Sequence, residues 1–111
     1  MQKPSVPRKG VPESLLATPL YIPGPPVGLL AVFPNAQAAA AALDFDESGV
    51  CVVLRTCSSL EVGDVVDLVL EFPDKTQVHL MTMVLRKGNE RDYLKANFID
   101  PDTLALLTRR V

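Results

Sequence analysis

Eight of the ten prolines lie within the first 34 of the chain's 111 residues: Pro4, Pro7, Pro12, Pro19, Pro23, Pro25, Pro26 and Pro34. Proline fixes φ and has no amide hydrogen, so it is poorly tolerated in helix interiors and central strands. Residues 1–18 are therefore read as an extended, flexible arm, and regular structure is expected only where the prolines thin out. Beyond Pro34 only Pro73 and Pro101 remain, one in a turn signal and one at a helix start. A chain of this length supports one domain with a single modest core, assigned here to residues 19–111.

Within that domain the apolar runs are short and evenly punctuated. "VGLLAVF" (27–33), "VCVVLRT" (50–56), "VVDLVLEF" (65–72), "VHLMTMVLR" (78–86) and "YLKANFI" (93–99) read as strands bounded by turn residues. In the second of these, Val50, Val52 and Leu54 fall on one face, and Cys51, Val53 and Arg55 on the other. "QAAAAALDF" (37–45) is ambiguous, because alanine favours helix. Its shortness and its position between turn signals predict a strand. Six short strands at this spacing predict a mainly β fold, a small six-stranded antiparallel barrel. The period changes at the end. Asp100 is an N-cap residue, Pro101 suits the first helical position, and Leu104, Leu107 and Val111 form an apolar stripe. Leu106 lies off that stripe beside Arg109 and Arg110, and these three are the candidate interface for a protein partner or a second subunit.

Composition narrows the function. A formal net charge of −2 supplies no basic field for DNA or RNA. No apolar run approaches the roughly 18 residues of a membrane span, and "MQKPSVPRKG" lacks the apolar stretch of a secretory leader. Direct membrane insertion is not expected. Cys51 and Cys57 share one extended segment, which puts them beyond disulfide reach; reduced thiols in the cytoplasm are the plainer reading. His79 is the only histidine, in mid-strand, with no nucleophile near it in sequence. Two cysteines and one histidine at unrelated spacings make no zinc site. No glycine-rich phosphate loop is present, and the twelve-residue calcium loop is missing around Asp44, Asp46 and Glu47. The expectation is a non-catalytic domain without a cofactor.

The order of the remaining motifs is informative. "DFDESGVCVVL" places an acidic turn before a strand; "SSLEVGDVVDLVLEF" supplies a second turn and strand; "MVLR" ends the next, and "YLKANFIDPD" ends a strand in a helix start. This order resembles the PilZ domain, a small barrel that serves bacteria as a cyclic di-GMP receptor, over roughly residues 19–111. Two registers of the family's D-x-S-x-x-G turn compete. One matches Asp46 and Ser48 but puts Cys51 at the glycine. The other matches Asp44 and Gly49 and puts Asp46 at the serine. The second keeps glycine where a positive φ is expected, and it is preferred here.

The resemblance also implies an R-x-x-x-R motif before the first strand, whose guanidinium groups would grip phosphate and guanine. It should fall near "ESLLATP" (13–19), and it is absent. The nearest upstream cations, Arg8 and Lys9, are adjacent rather than four apart. An added carboxylate about 4 Å from a phosphate costs on the order of a few kcal/mol at an effective dielectric near 20. The expectation is thus a degenerate relative in which cyclic di-GMP binds weakly or not at all. It would act as a regulatory adaptor in motility, pilus or polysaccharide control. The alternatives are a true receptor with a rearranged site built from Arg8, Lys9, Asp44, Asp46, Ser48 and Gly49, and a ligand-free structural domain of a larger protein.

Overall fold

The computed structural model describes residues 15–97 and 99–109. Among the described residues seven strands form one sheet: β1 (Leu20–Ile22), β2 (Val27–Val32), β3 (Leu43–Asp46), β4 (Gly49–Arg55), β5 (Val65–Glu71), β6 (Gln77–Lys87) and β7 (Arg91–Asn97). Two helices join them, α1 (Ala36–Ala42) and α2 (Pro101–Arg109). The spatial order is β1-β2-β5-β6-β7-β4-β3. All neighbours are antiparallel except β2 and β5, which run parallel with Val27 opposite Val66.

The mainly β reading holds, whereas the closed six-stranded antiparallel barrel does not. The sheet is open, with β1 and β3 as its edges; it has seven strands, and one pair is parallel. The parallel pair has a simple origin. The segment from 37 to 45, expected as a return strand, is mostly the helix α1, so β2 does not turn back on itself. Asn35 caps that helix by accepting the Ala38 amide at 2.8 Å, and five consecutive alanines carry it. Only Leu43–Asp46 continues as strand, pairing antiparallel with β4. The added strand, β1, is a three-residue edge between Pro19 and Pro23, where missing amide donors do little harm.

One face of the sheet supplies the core. Leu29 and Ala31 of β2, Val66, Leu68 and Leu70 of β5, Val78, Leu80 and Val84 of β6, Leu94 and Ala96 of β7, and Val50, Val52 and Leu54 of β4 belong to one contiguous buried cluster. Two short helices cannot cover so wide a face, so the sheet must curl for its inner side chains to meet. Ala38, Ala39 and Ala42 of α1 and Leu107 of α2 complete the cluster. Two polar strand residues are also buried, Thr82 and Asp92; Thr82 donates its hydroxyl to the Val66 carbonyl at 3.0 Å, which satisfies it. Neither Cys51 nor Cys57 takes part in a disulfide.

The expected arm, 1–18, lies largely outside the described residues, as do Arg8 and Lys9. Its last part is not flexible chain: Leu16 and Ala17 are buried, and Leu16 packs on Val53 with Tyr93 alongside. The Ala17 carbonyl accepts the Arg55 amide at 3.0 Å. This contact occupies the side of β4 left uncovered where β3 ends.

Candidate functional site

The acidic turn joins β3 to β4, and its closure follows from one carboxylate. Asp46 Oδ1 accepts the Ser48 amide at 2.8 Å, the Ser48 hydroxyl at 2.9 Å and the Gly49 amide at 3.0 Å. Asp46 Oδ2 accepts the ammonium of Lys95, which reaches across from β7. Cys51 and Lys95 are register partners, so the lysine stands on the outer face one strand away from the turn. These bonds, that of Lys95 first and those of Ser48 next, hold the Asp46 carboxyl well below the usual carboxylate range.

Gly49 has φ +151°, and a Cβ built there would overlap the Ala96 carbonyl oxygen of β7. Glycine at 49 is thus required twice, by conformation and by the close approach of the neighbouring strand. The expected positive φ is present. Asp44, by contrast, stands two pairs further along β3, exposed on the outer face opposite Cys51. The turn therefore uses Asp46, Ser48 and Gly49, and Asp44 makes none of the turn's hydrogen bonds. The sequence pairing of Asp44 with Gly49 as the working motif overstates the role of Asp44.

Beside this turn lies an open groove of about 660 Å³, lined by Asp46, Ser48, Lys95 and Asn97 on its polar side and by Leu85, Ile99 and Leu104 on its apolar side. Leu85 is the residue at which β6 and β7 slip register, because Val84 pairs with Leu94 and Arg86 with Tyr93. That bulge leaves Leu85 57 % exposed. Met81, Met83 and Val65 are also exposed on the adjoining strands.

The closing helix forms as expected but faces differently. Asp100 caps it, accepting the Thr103 amide at 3.1 Å and the Thr103 hydroxyl at 2.7 Å, which lowers the Asp100 pKa. Leu107 is fully buried. Leu104, expected in the buried stripe, is 39 % exposed on the groove, and Leu106, expected on the surface, is partly buried against the core. On this helix Leu104, not Leu106, is the exposed leucine. Arg109 is exposed and turns its Nε to the Ala105 carbonyl of its own helix at 3.4 Å. Arg110 lies outside the described residues.

His79 is exposed on β6 opposite Val69, and among the described residues no group of three potential ligands could hold a metal ion. No helix among them is long and apolar enough to cross a membrane. No protein-family model matches the sequence, and no curated protein matches it either.

Proposed function

We propose that this chain is a non-catalytic regulatory domain of PilZ-like type whose nucleotide site has decayed, and that it acts through contact with another protein. The observation that carries this reading is the engagement of Asp46. At the position where the resemblance implies a ligand-binding serine stands a carboxylate, and it is already committed to Ser48, Gly49 and Lys95. Lys95, the cation lining the groove, is tied to that carboxylate, while Asp44 and Glu47 add negative charge nearby. A dianionic dinucleotide in this groove would meet the carboxylates of Asp46 and Glu47 and would have to break an ion pair to gain the Lys95 cation.

The apolar side of the groove favours a protein instead. Leu85 and Leu104 line that side and are exposed, and Met81 and Met83 are exposed further along the strand that carries Leu85. Contiguous exposed apolar surface commonly marks an interaction site, and methionine adapts to varied partner shapes. The open sheet and its parallel pair depart from the closed barrel that the resemblance implies, so the reading rests on the turn and its surroundings, not on strand count. Titration calorimetry of the full chain with cyclic di-GMP tests it. No saturable heat is expected at low-micromolar ligand, and a dissociation constant in that range would overturn the reading.

A further inference from the structure

The outer face of the sheet, turned away from the core, is covered unevenly. Over β4 and β7 the chain supplies its own cover, because Leu16 packs on Val53 with Leu15 and Tyr93 alongside. Over β1, β2, β5 and β6 the face is bare: Leu20, Ile22, Val32, Val65, Met81 and Met83 are each 43–62 % exposed. We propose that this half of the outer face docks a basic amphipathic helix of a partner protein, with Asp67 as its charged anchor. The proposal rests on the protein-contact reading above and names the chemistry of the partner.

Register gathers these side chains. Ile22 stands opposite Gly28, Gly28 opposite Asp67, and Asp67 opposite Met81, one row across four strands. The next rows lie about 7 Å away along the strands. One runs through Leu20, Leu30 and Val69, the other through Val65 and Met83. Asp67 therefore has valine on both sides along its own strand and Met81 across from it. Residues 14–43 contain no charged residue, so β1 and β2 bring no cation to this face.

Charge then selects the occupant. Among the described residues the Asp67 carboxylate has no hydrogen-bond or ion-pair partner. Glu71, further along β5, differs: it accepts from Gln77 at 2.9 Å and faces Lys75 at 3.9 Å. Lys95, opposite Met83, is held by Asp46. Covering a half-buried carboxylate strips its remaining water, so the covering surface must bring a cation. A second copy fails that requirement, since a two-fold contact centred here would bring Asp67 towards its own counterpart. A nucleic acid or an anionic bilayer presents only further negative charge.

Shape favours a helix. Four strands span about 14 Å, slightly more than the roughly 10 Å diameter of a helix. An amphipathic helix offers an apolar stripe about 100° wide, bordered by polar positions from which lysine or arginine reaches Asp67. Met81 and Met83 let the face follow varied helical side chains. Strand addition at the free edge fits less well, because β1 has three residues between Pro19 and Pro23 and offers few backbone groups.

The test titrates the isotope-labelled full chain with a synthetic peptide of about 18 residues, leucine at the helical period and lysine elsewhere. The same peptide with glutamate for lysine is the control. With the lysine peptide, saturable shifts are expected at the Met81 and Met83 methyl groups and at the amides of β5 and β6. The glutamate peptide should produce none. Asp67→Asn should weaken the affinity about fivefold, the worth of one partly exposed ion pair. Met81→Thr combined with Met83→Thr should weaken it at least about tenfold through lost apolar contact. Thermal melting checks folding; should the threonine variant melt early, Asp67→Asn, which keeps the side-chain shape, carries the comparison. Equal binding of the two peptides, shifts centred on Asp44, Asp46 and Glu47, or unchanged affinity in Asp67→Asn would overturn the proposal. So would a sedimenting dimer that the threonine variant dissolves, or binding to anionic phospholipid vesicles through the same methyl groups. Absence of any response to the lysine peptide sinks the helix alone, whereas saturable cyclic di-GMP binding sinks the protein-contact reading.

Discussion

At the Gly49 end of β4 an acidic turn meets a lysine, while at the Arg55 end, about 20 Å along the strand, arginines from three strands gather on the same face. Each end also has an ion pair and a glycine pressed against a neighbouring backbone. At the first end the charges cancel within the outer face, through Asp46 and Lys95. At the second the cancelling pair, Lys87 and Asp92, is drawn towards the interior, where Asp92 is 1 % exposed. The same local ingredients thus give an exposed ion pair in one place and a buried one in the other. What decides between them is which face of the strand the carboxylate occupies.

The largest expected effect tests the glycines. Gly49→Val must accommodate both φ +151° and overlap with the Ala96 carbonyl, in the middle of the β4–β7 pairing. It should cost more than about 4 kcal/mol, the range of severe backbone lesions, and leave little cooperative melting. At Gly88 an added Cβ would sit 2.8 Å from the Arg91 carbonyl oxygen, a far smaller overlap than the one at Gly49 and without a positive φ. Gly88→Ala should cost about 1 kcal/mol. Equal melting temperatures for the two variants would break the comparison.

Next in size is the buried ion pair. Asp92 is 1 % exposed, and one of its oxygens, Oδ1, has no hydrogen-bond partner among the described residues. Its neutralising ammonium comes from Lys87, which also donates to the Cys57 carbonyl. Lys87→Met would strand a buried carboxylate and should cost about 3 kcal/mol by denaturant unfolding. Lys87→Met with Asp92→Leu should recover most of that loss, since removing both charges removes the desolvation penalty. Failure of the double variant to recover would mean that the Cys57 amide, bonded to Asp92, is the contact that matters.

Sequence patterning reached some of this and not the rest, for identifiable reasons. The alternation in β4 to β7 was legible because one face is wholly buried, and a period of two leaves no other register. Gly49 was legible as well, since a turn opening a strand calls for positive φ. The helix α1 was misassigned because a short alanine run obeys propensity once Asn35 caps it, whatever its apolar neighbours suggest. On α2 the spacing of Leu104, Leu107 and Val111 gave the wrong centre for the buried face, which lies on Leu107 with Leu106 beside it. The pairings Asp46–Lys95 and Arg55–Arg91 span 49 and 36 residues. They depend on β7 lying next to β4, which no local pattern specifies.

The smallest expected effect belongs to the exposed ion pair. Asp46 is 52 % exposed and Lys95 15 %, so Lys95→Met returns a carboxylate to water and strands no buried charge. The loss in stability at neutral pH should be smaller than for Lys87→Met, and its pH dependence has a definite sign. The Asp46 pKa is depressed in the folded state, by Lys95 first and Ser48 second. Its stabilising contribution is therefore present above the unfolded carboxylate value, about pH 4, and is lost as pH falls towards the folded one. The melting difference between the native chain and Lys95→Met should accordingly narrow below about pH 4. In a carbon-detected titration the Asp46 midpoint should rise in the variant, yet stay below the ordinary range because the Ser48 bonds remain. A melting difference constant from pH 7 down to pH 2 would show that Lys95 acts only through its packed alkyl chain, and the acidic turn would then be closed by Ser48 and Gly49 alone.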